Sequence, residues 1–162
     1  ILEFAPTVSA LILAGKVGSN IASELGTMRL TEQIDALEIM GVNTVAYLVG
    51  PKLIAAVTMI PLLVAFAAAI GITGGMLAGM TSGLVSSTEY LQGVLSWFIP
   101  RNTYIMMLKA FVFSFLIVSI SSYKGYYSKG GALEIGKAST SAVVISCISV
   151  LVADYLIAWL VL

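Results

Sequence analysis

An uncharged run from Leu53 to Thr88 constrains this chain more than any other feature. Drawn as one helix it would measure roughly 54 Å, whereas the hydrocarbon core of a bilayer is about 30 Å thick. Backbone amides in lipid must bond within their own segment, so such a run predicts a spanning helix followed by an external segment. Composition points the same way. Of 162 residues, 59% are hydrophobic and only 10% charged, and mean hydropathy is +1.05. A soluble domain carries about 25% charged residues, enough to clothe its surface; this chain needs a different solvent.

Four segments can cross, at about 4–23, 48–78, 104–123 and 138–162. In the second, Gly74, Gly75 and Gly79 are expected to end the helix, Pro61 to kink it, and Met80 to Asn102 to form an external loop. The loop from Glu24 to Lys52 holds Arg29 and Lys52, and the loop after the third span holds Lys124, Lys129 and Lys137, whereas the loop between Met80 and Asn102 holds only Arg101. Lys/Arg-rich loops stay in the cytoplasm, so the first span runs inward and the chain ends outside. Trp97, Phe98, Tyr104 and Trp159 then fall at the outer interface and Tyr123, Tyr126 and Tyr127 at the inner one, where aromatic rings concentrate. The expected fold is a single all-α integral membrane domain with four visible transmembrane helices. The chain opens Ile-Leu-Glu-Phe-Ala-Pro without Met and is already apolar, so the natural start is expected upstream.

Several chemistries lack their residues. There is no histidine, and Cys147 is alone in an apolar run, so neither a metal site nor an internal disulfide is expected. Net charge is zero, without the basic footprint of a nucleic-acid binder. No Gly-x-x-x-x-Gly-Lys-(Ser/Thr) cradle occurs, so the chain is expected to bind no nucleotide or other cofactor itself. His-Glu-x-x-His, paired intramembrane aspartates and a Ser/His dyad are also missing, which argues against an intramembrane enzyme.

The segment Glu24 to Pro51 carries Glu24, Glu32, Asp35 and Glu38. Within it, Thr31 to Met40 predicts a short helix, with Thr31 as N-cap, Glu32 and Asp35 at its positive end and Gly41 as C-cap. Ile34, Leu37 and Met40 recur at helical spacing. At roughly 15 Å it is too short to span. It is either a solvated connector or a docking helix pressed into a groove of a cytoplasmic partner. The apolar stripe favours docking, with Glu24, Glu32, Asp35, Leu37, Glu38 and Met40 as coupling residues.

Four charges lie in or beside spans: Glu3, Lys16, Lys109 and Asp154. Each costs about 2.5–3.5 kcal/mol on insertion scales and calls for a reason. Lys16 can snorkel inward, and Asp154 can pair with another helix, so both read as structural. Glu3 and Lys109 sit at similar depth on the outer side and read as functional.

The ordered series Gly15-Lys16-Val17-Gly18-Ser19, Glu24-Leu25-Gly26-Thr27-Met28, Thr31-Glu32-Gln33 and Pro51-Lys52 resembles the signature region of MlaE/YrbE permeases. Pro61 to Leu63, Gly71 to Gly75 and Gly136 to Thr140 extend the resemblance over nearly the whole chain. Lys16 stands where many relatives have Arg. The resemblance implies the membrane subunit of an MCE-associated ABC lipid transporter of the bacterial inner membrane. It implies five spans in the full chain, with an interfacial helix and one span before Glu3. It also implies a homodimer around an outward cavity lined by Glu3 and Lys109, with phospholipid as substrate. The partners it implies are a cytoplasmic ABC ATPase dimer using ATP and Mg, an extracytoplasmic MCE-domain ring and a small cytoplasmic regulatory subunit. The rival reading is an ion- or proton-coupled secondary transporter or channel using Glu3, Lys109 and Asp154 as a relay.

Overall fold

The computed structural model describes residues 2–83 and 85–161; Leu162, at the end of the fourth expected span, lies outside them. Every regular element among the described residues is a helix. The first rod consists of α1 (Phe4–Leu13), a π turn (Ala14–Gly18) and α2 (Ser19–Leu30). Then come α3 (Gln33–Ile39), α4 (Thr44–Thr81), α5 (Ser87–Ser96), α6 (Pro100–Tyr126) and α7 (Ala132–Val161). Helices α4, α6 and α7 are each long and apolar enough to cross a membrane; the first rod has its apolar stretch in Phe4 to Ser23.

That rod continues past residue 23 to Leu30. Its last turns are too polar for lipid but pack within the chain: Ile21, Ala22, Leu25 and Gly26 are buried, and Glu24 pairs with Lys52 of α4. Hydropathy marks where lipid ends, not where the helix does. The π turn is a wide turn that breaks the regular ladder. The Ser19 hydroxyl donates to the Gly15 carbonyl at 2.5 Å, satisfying a group that a regular helix would pair differently.

Helix α4 runs straight through the glycines expected to end it, and so corrects that expectation. A glycine costs a helix about 1 kcal/mol, whereas an unpaired amide in lipid costs several, so the helix continues. Asn43 caps its start, accepting from the Ala46 amide at 3.2 Å. At roughly 57 Å it overshoots a ~30 Å core.

The expected external loop contains α5 instead. Ser86 and Glu89 form a reciprocal capping box. The Ser86 amide and hydroxyl both donate to the Glu89 carboxylate and hold its pKa below the usual range. Tyr90 folds α5 back on α4, its hydroxyl donating to the Ile72 carbonyl at 3.0 Å.

Helix α6 is the hub and touches α1, the π turn, α2, α4 and α7. Met106, Ala110 and Val118 face Ile21, Leu25, Ile60 and Val64 in one core, while Phe113 and Ile117 meet Ala10, Ala14 and Val150 in another. Near its C-terminal end α6 lies against the α2 backbone at Gly125. A Cβ there would stand 2.6 Å from the Ala22 carbonyl oxygen and 2.8 Å from its Cα. Backbone cannot yield as a side-chain tip can, so Gly125→Ala is expected to cost about 1–3 kcal/mol. The check is the thermal midpoint in detergent, with Gly136→Ala, where a Cβ meets nothing within 4 Å, as the unchanged control.

Candidate functional site

Two charged clusters occupy opposite ends of α6. The outer one centres on Lys109, on the same helical face as Phe113 and as fully buried. Its ammonium donates to Glu3 Oε1 at 2.7 Å and lies 2.8 Å from Asp154 Oδ1, an ionic contact off the line of a hydrogen bond. Burying a lone ammonium would be prohibitive, so the two carboxylates are what allow this position. Asp154 is turned inward because α7 packs on α6 along the face that also buries Val150; its side chain is only 16% exposed. Glu3 sits at the start of α1 with its side chain 52% exposed. One cation and two anions leave the cluster one negative charge in surplus, on the member with the most exposed side chain. Beside it, from Phe4 onward, a cavity of about 450 Å³ opens between α1 and α4, lined by Ala5, Val8, Ser9, Ala67, Ala68 and Gly71, with Tyr90 of α5 also in its wall.

The structure therefore joins Glu3 and Lys109, and adds Asp154 to them. Asp154, expected to pair with another helix, does so with α6, within the ion-pair shell of Lys109. Lys16 is elsewhere, exposed on the first rod with Asn20 one turn on, and makes no ion pair among the described residues.

The inner cluster surrounds α3. Thr31 does not cap this helix; it closes α2, its hydroxyl donating to the Thr27 carbonyl at 2.9 Å. Glu32 takes the N-cap place at φ 59°, a left-handed conformation uncommon for a residue with a side chain. The helix is consequently shorter than residues 31–40. Gly41 ends it as expected, at φ 76°. The Gly41 amide bonds the Glu38 carbonyl and the Val42 amide the Leu37 carbonyl, a Schellman closure.

The apolar stripe divides. Ile34 is fully buried and fixes α3 to its own chain, and Leu37 is half-buried. Ile39 and Met40 are 87% and 68% exposed. The acids divide too. Glu24 is engaged by Lys52, and Asp35 by Arg29 at 2.8 Å. Glu38 accepts from the Tyr126 hydroxyl at 2.9 Å, with Arg29 at 3.8 Å. Glu32 stays exposed. Sequence reading did not single out Tyr126, Thr44 or Arg29 for this site.

The Permease MlaE family model matches residues 1–160. The chain belongs to the MlaE permease family. MlaE-type relatives agree: a probable ABC transporter permease protein of Rickettsia bellii is 44% identical over 96% of this chain and 60% of its own length. One from Synechocystis is 34% identical over 98% of this chain and 60% of its own length. The Arabidopsis chloroplastic protein Trigalactosyldiacylglycerol 1 is 31% identical over 96% of this chain and 44% of its own length. This MlaE-family chain thus spans about 60% of the bacterial relatives' length. It is a multi-pass membrane protein of an ABC transporter permease family.

Proposed function

We propose that this chain is the membrane subunit of an ABC transporter that moves phospholipid between the bacterial inner membrane and an extracytoplasmic MCE protein, maintaining outer-membrane lipid. The observation that carries this reading is α3: a short helix fastened to the bundle by Ile34, with Ile39 and Met40 left for something outside the chain to cover. A cytoplasmic ATPase dimer, which supplies ATP and Mg chemistry, suits that surface. A small cytoplasmic regulatory subunit would join on the same side.

At the outer end the surplus carboxylate of Glu3, held in place by Lys109, suits a headgroup ammonium. The neighbouring apolar cavity suits acyl chain, and an MCE ring would receive the lipid above it. Lys16 and Asn20, exposed at mid-span, call for a polar cover, which a second copy of the chain in a homodimer would give.

The test uses the full-length protein with its ATPase in vesicles of phosphatidylethanolamine and phosphatidylglycerol. Mass spectrometry is expected to find phospholipid retained on the complex, and its transfer to the MCE partner to require ATP. Transfer driven by a proton or ion gradient without ATP would select the secondary-transporter reading instead.

A further inference from the structure

The inner cluster contains a hydroxyl relay that ion pairing alone does not explain. Tyr126 is the last residue of α6, and its ring is buried. Its hydroxyl has one proton, which goes to Glu38 Oε1 on α3 at 2.9 Å. Thr44, buried at the first position of α4, places its own hydroxyl 2.7 Å from the tyrosine oxygen and 3.4 Å from the same Glu38 Oε1, so its single proton is shared between the phenol oxygen and the carboxylate. Arg29 of α2 lies 5.8 Å from the centre of the Tyr126 ring while holding Asp35. One phenol thus binds α3 to α4 and α6, with α2 alongside.

What α6 does with that bond follows from its packing. Beside Tyr126, Gly125 seats α6 on the Ala22 backbone, and further along Gly18 meets Ser121, where an added Cβ would come within 2.8 Å of the hydroxyl. The helix is unbroken from Tyr126 to Lys109, roughly 25 Å along its axis. A displacement of α3 that pulls on Glu38 is passed to this rod, and the other end of the rod holds the ammonium of the outer cluster. With the hydroxyl gone, α3 keeps Ile34, the Arg29–Asp35 pair and the Thr44–Glu38 bond to α4, but loses its direct bond to α6.

We propose that the Tyr126 hydroxyl is a positioning contact that couples movement of α3 to α6, and through α6 to Lys109 and the outer cavity. The inference rests on the reading of α3 as the ATPase docking helix.

The test is Tyr126→Phe in the full-length complex, in vesicles of phosphatidylethanolamine and phosphatidylglycerol. Three quantities are read: ATPase retained on purification, ATP hydrolysed, and lipid transferred per ATP. Retention and hydrolysis should match wild type, while lipid per ATP falls about tenfold. Thr44→Val, which leaves the Tyr126–Glu38 bond in place, should lower the same ratio less. An unchanged ratio in Tyr126→Phe overturns the inference. So does a parallel fall in hydrolysis and transfer, which would make the residue merely structural. Ile39→Asp in the same preparation separates the two claims. ATPase still bound to that variant removes the docking reading itself; ATPase released, with a normal ratio in Tyr126→Phe, removes only the coupling role.

Discussion

Replacing Lys109 by methionine is expected to destabilise the bundle by about 3–5 kcal/mol. The methionine fits the space and is at home in a core, so lost packing is not the reason. The reason is Asp154, whose carboxylate stays within the α6–α7 contact with its cation gone. Glu3 suffers less, because half of its side chain already reaches solvent. Adding Asp154→Leu removes the stranded charge, and most of the stability should return, since an apolar pair often replaces a buried ion pair at little cost. Function should not return with it. Neither the single nor the double variant has the ammonium that fixes Glu3 beside the cavity, so both should purify without the phospholipid that the wild type retains. Thermal unfolding in detergent and a lipid inventory by mass spectrometry read the two effects separately. Phospholipid retained by the folded double variant would take Lys109 out of the lipid site.

Ile39→Asp is expected to strip the ATPase from the protein while leaving the fold intact. Ile39 is 87% exposed, so the change should move stability by no more than about 0.5 kcal/mol. A carboxylate buried at a docking surface is another matter; losing an anchor residue there costs about 2 kcal/mol or more, some thirtyfold in affinity. Transport should fall to background with it. Leu37→Asp would be a poorer probe: that side chain is half-buried, and its loss would confuse docking with folding. Co-purification followed by a melting curve distinguishes the outcomes.

Much of this was legible in the sequence, and the misses have physical causes. The spans were readable because lipid admits no alternative to helix. Helix ends were not, because glycine is a strong stop only where water competes for the freed amides; α4 accordingly ran on to Thr81. The external helix α5 did have a signal, the Ser86-to-Glu89 spacing of a capping box, overlooked because the segment had been read as loop. Asp154 also had one. It lies roughly two turns from the outer end of α7, and Lys109 roughly two from that of α6, so antiparallel neighbours of opposite charge stood at matching depth. The division of labour on α3 had none. Ile34, Leu37 and Met40 look alike by spacing, and only the packing of α3 on α2 and α4 decides that Ile34 faces inward. The Tyr126 relay likewise joins residues more than 80 apart in sequence, which no local pattern announces.

The account depends on α3 being a cytoplasmic handle for an ATP-hydrolysing neighbour. Its most direct measurement is crosslinking from a single cysteine, Ile39→Cys in a full-length protein with every native cysteine, Cys147 included, replaced by alanine, in intact cells expressing the whole transporter. The account predicts that this cysteine resists a membrane-impermeant maleimide applied from outside and traps the ATPase when a short bifunctional crosslinker enters the cell. Labelling from outside, or a cysteine reachable from the cytoplasm that never captures the ATPase, would contradict it.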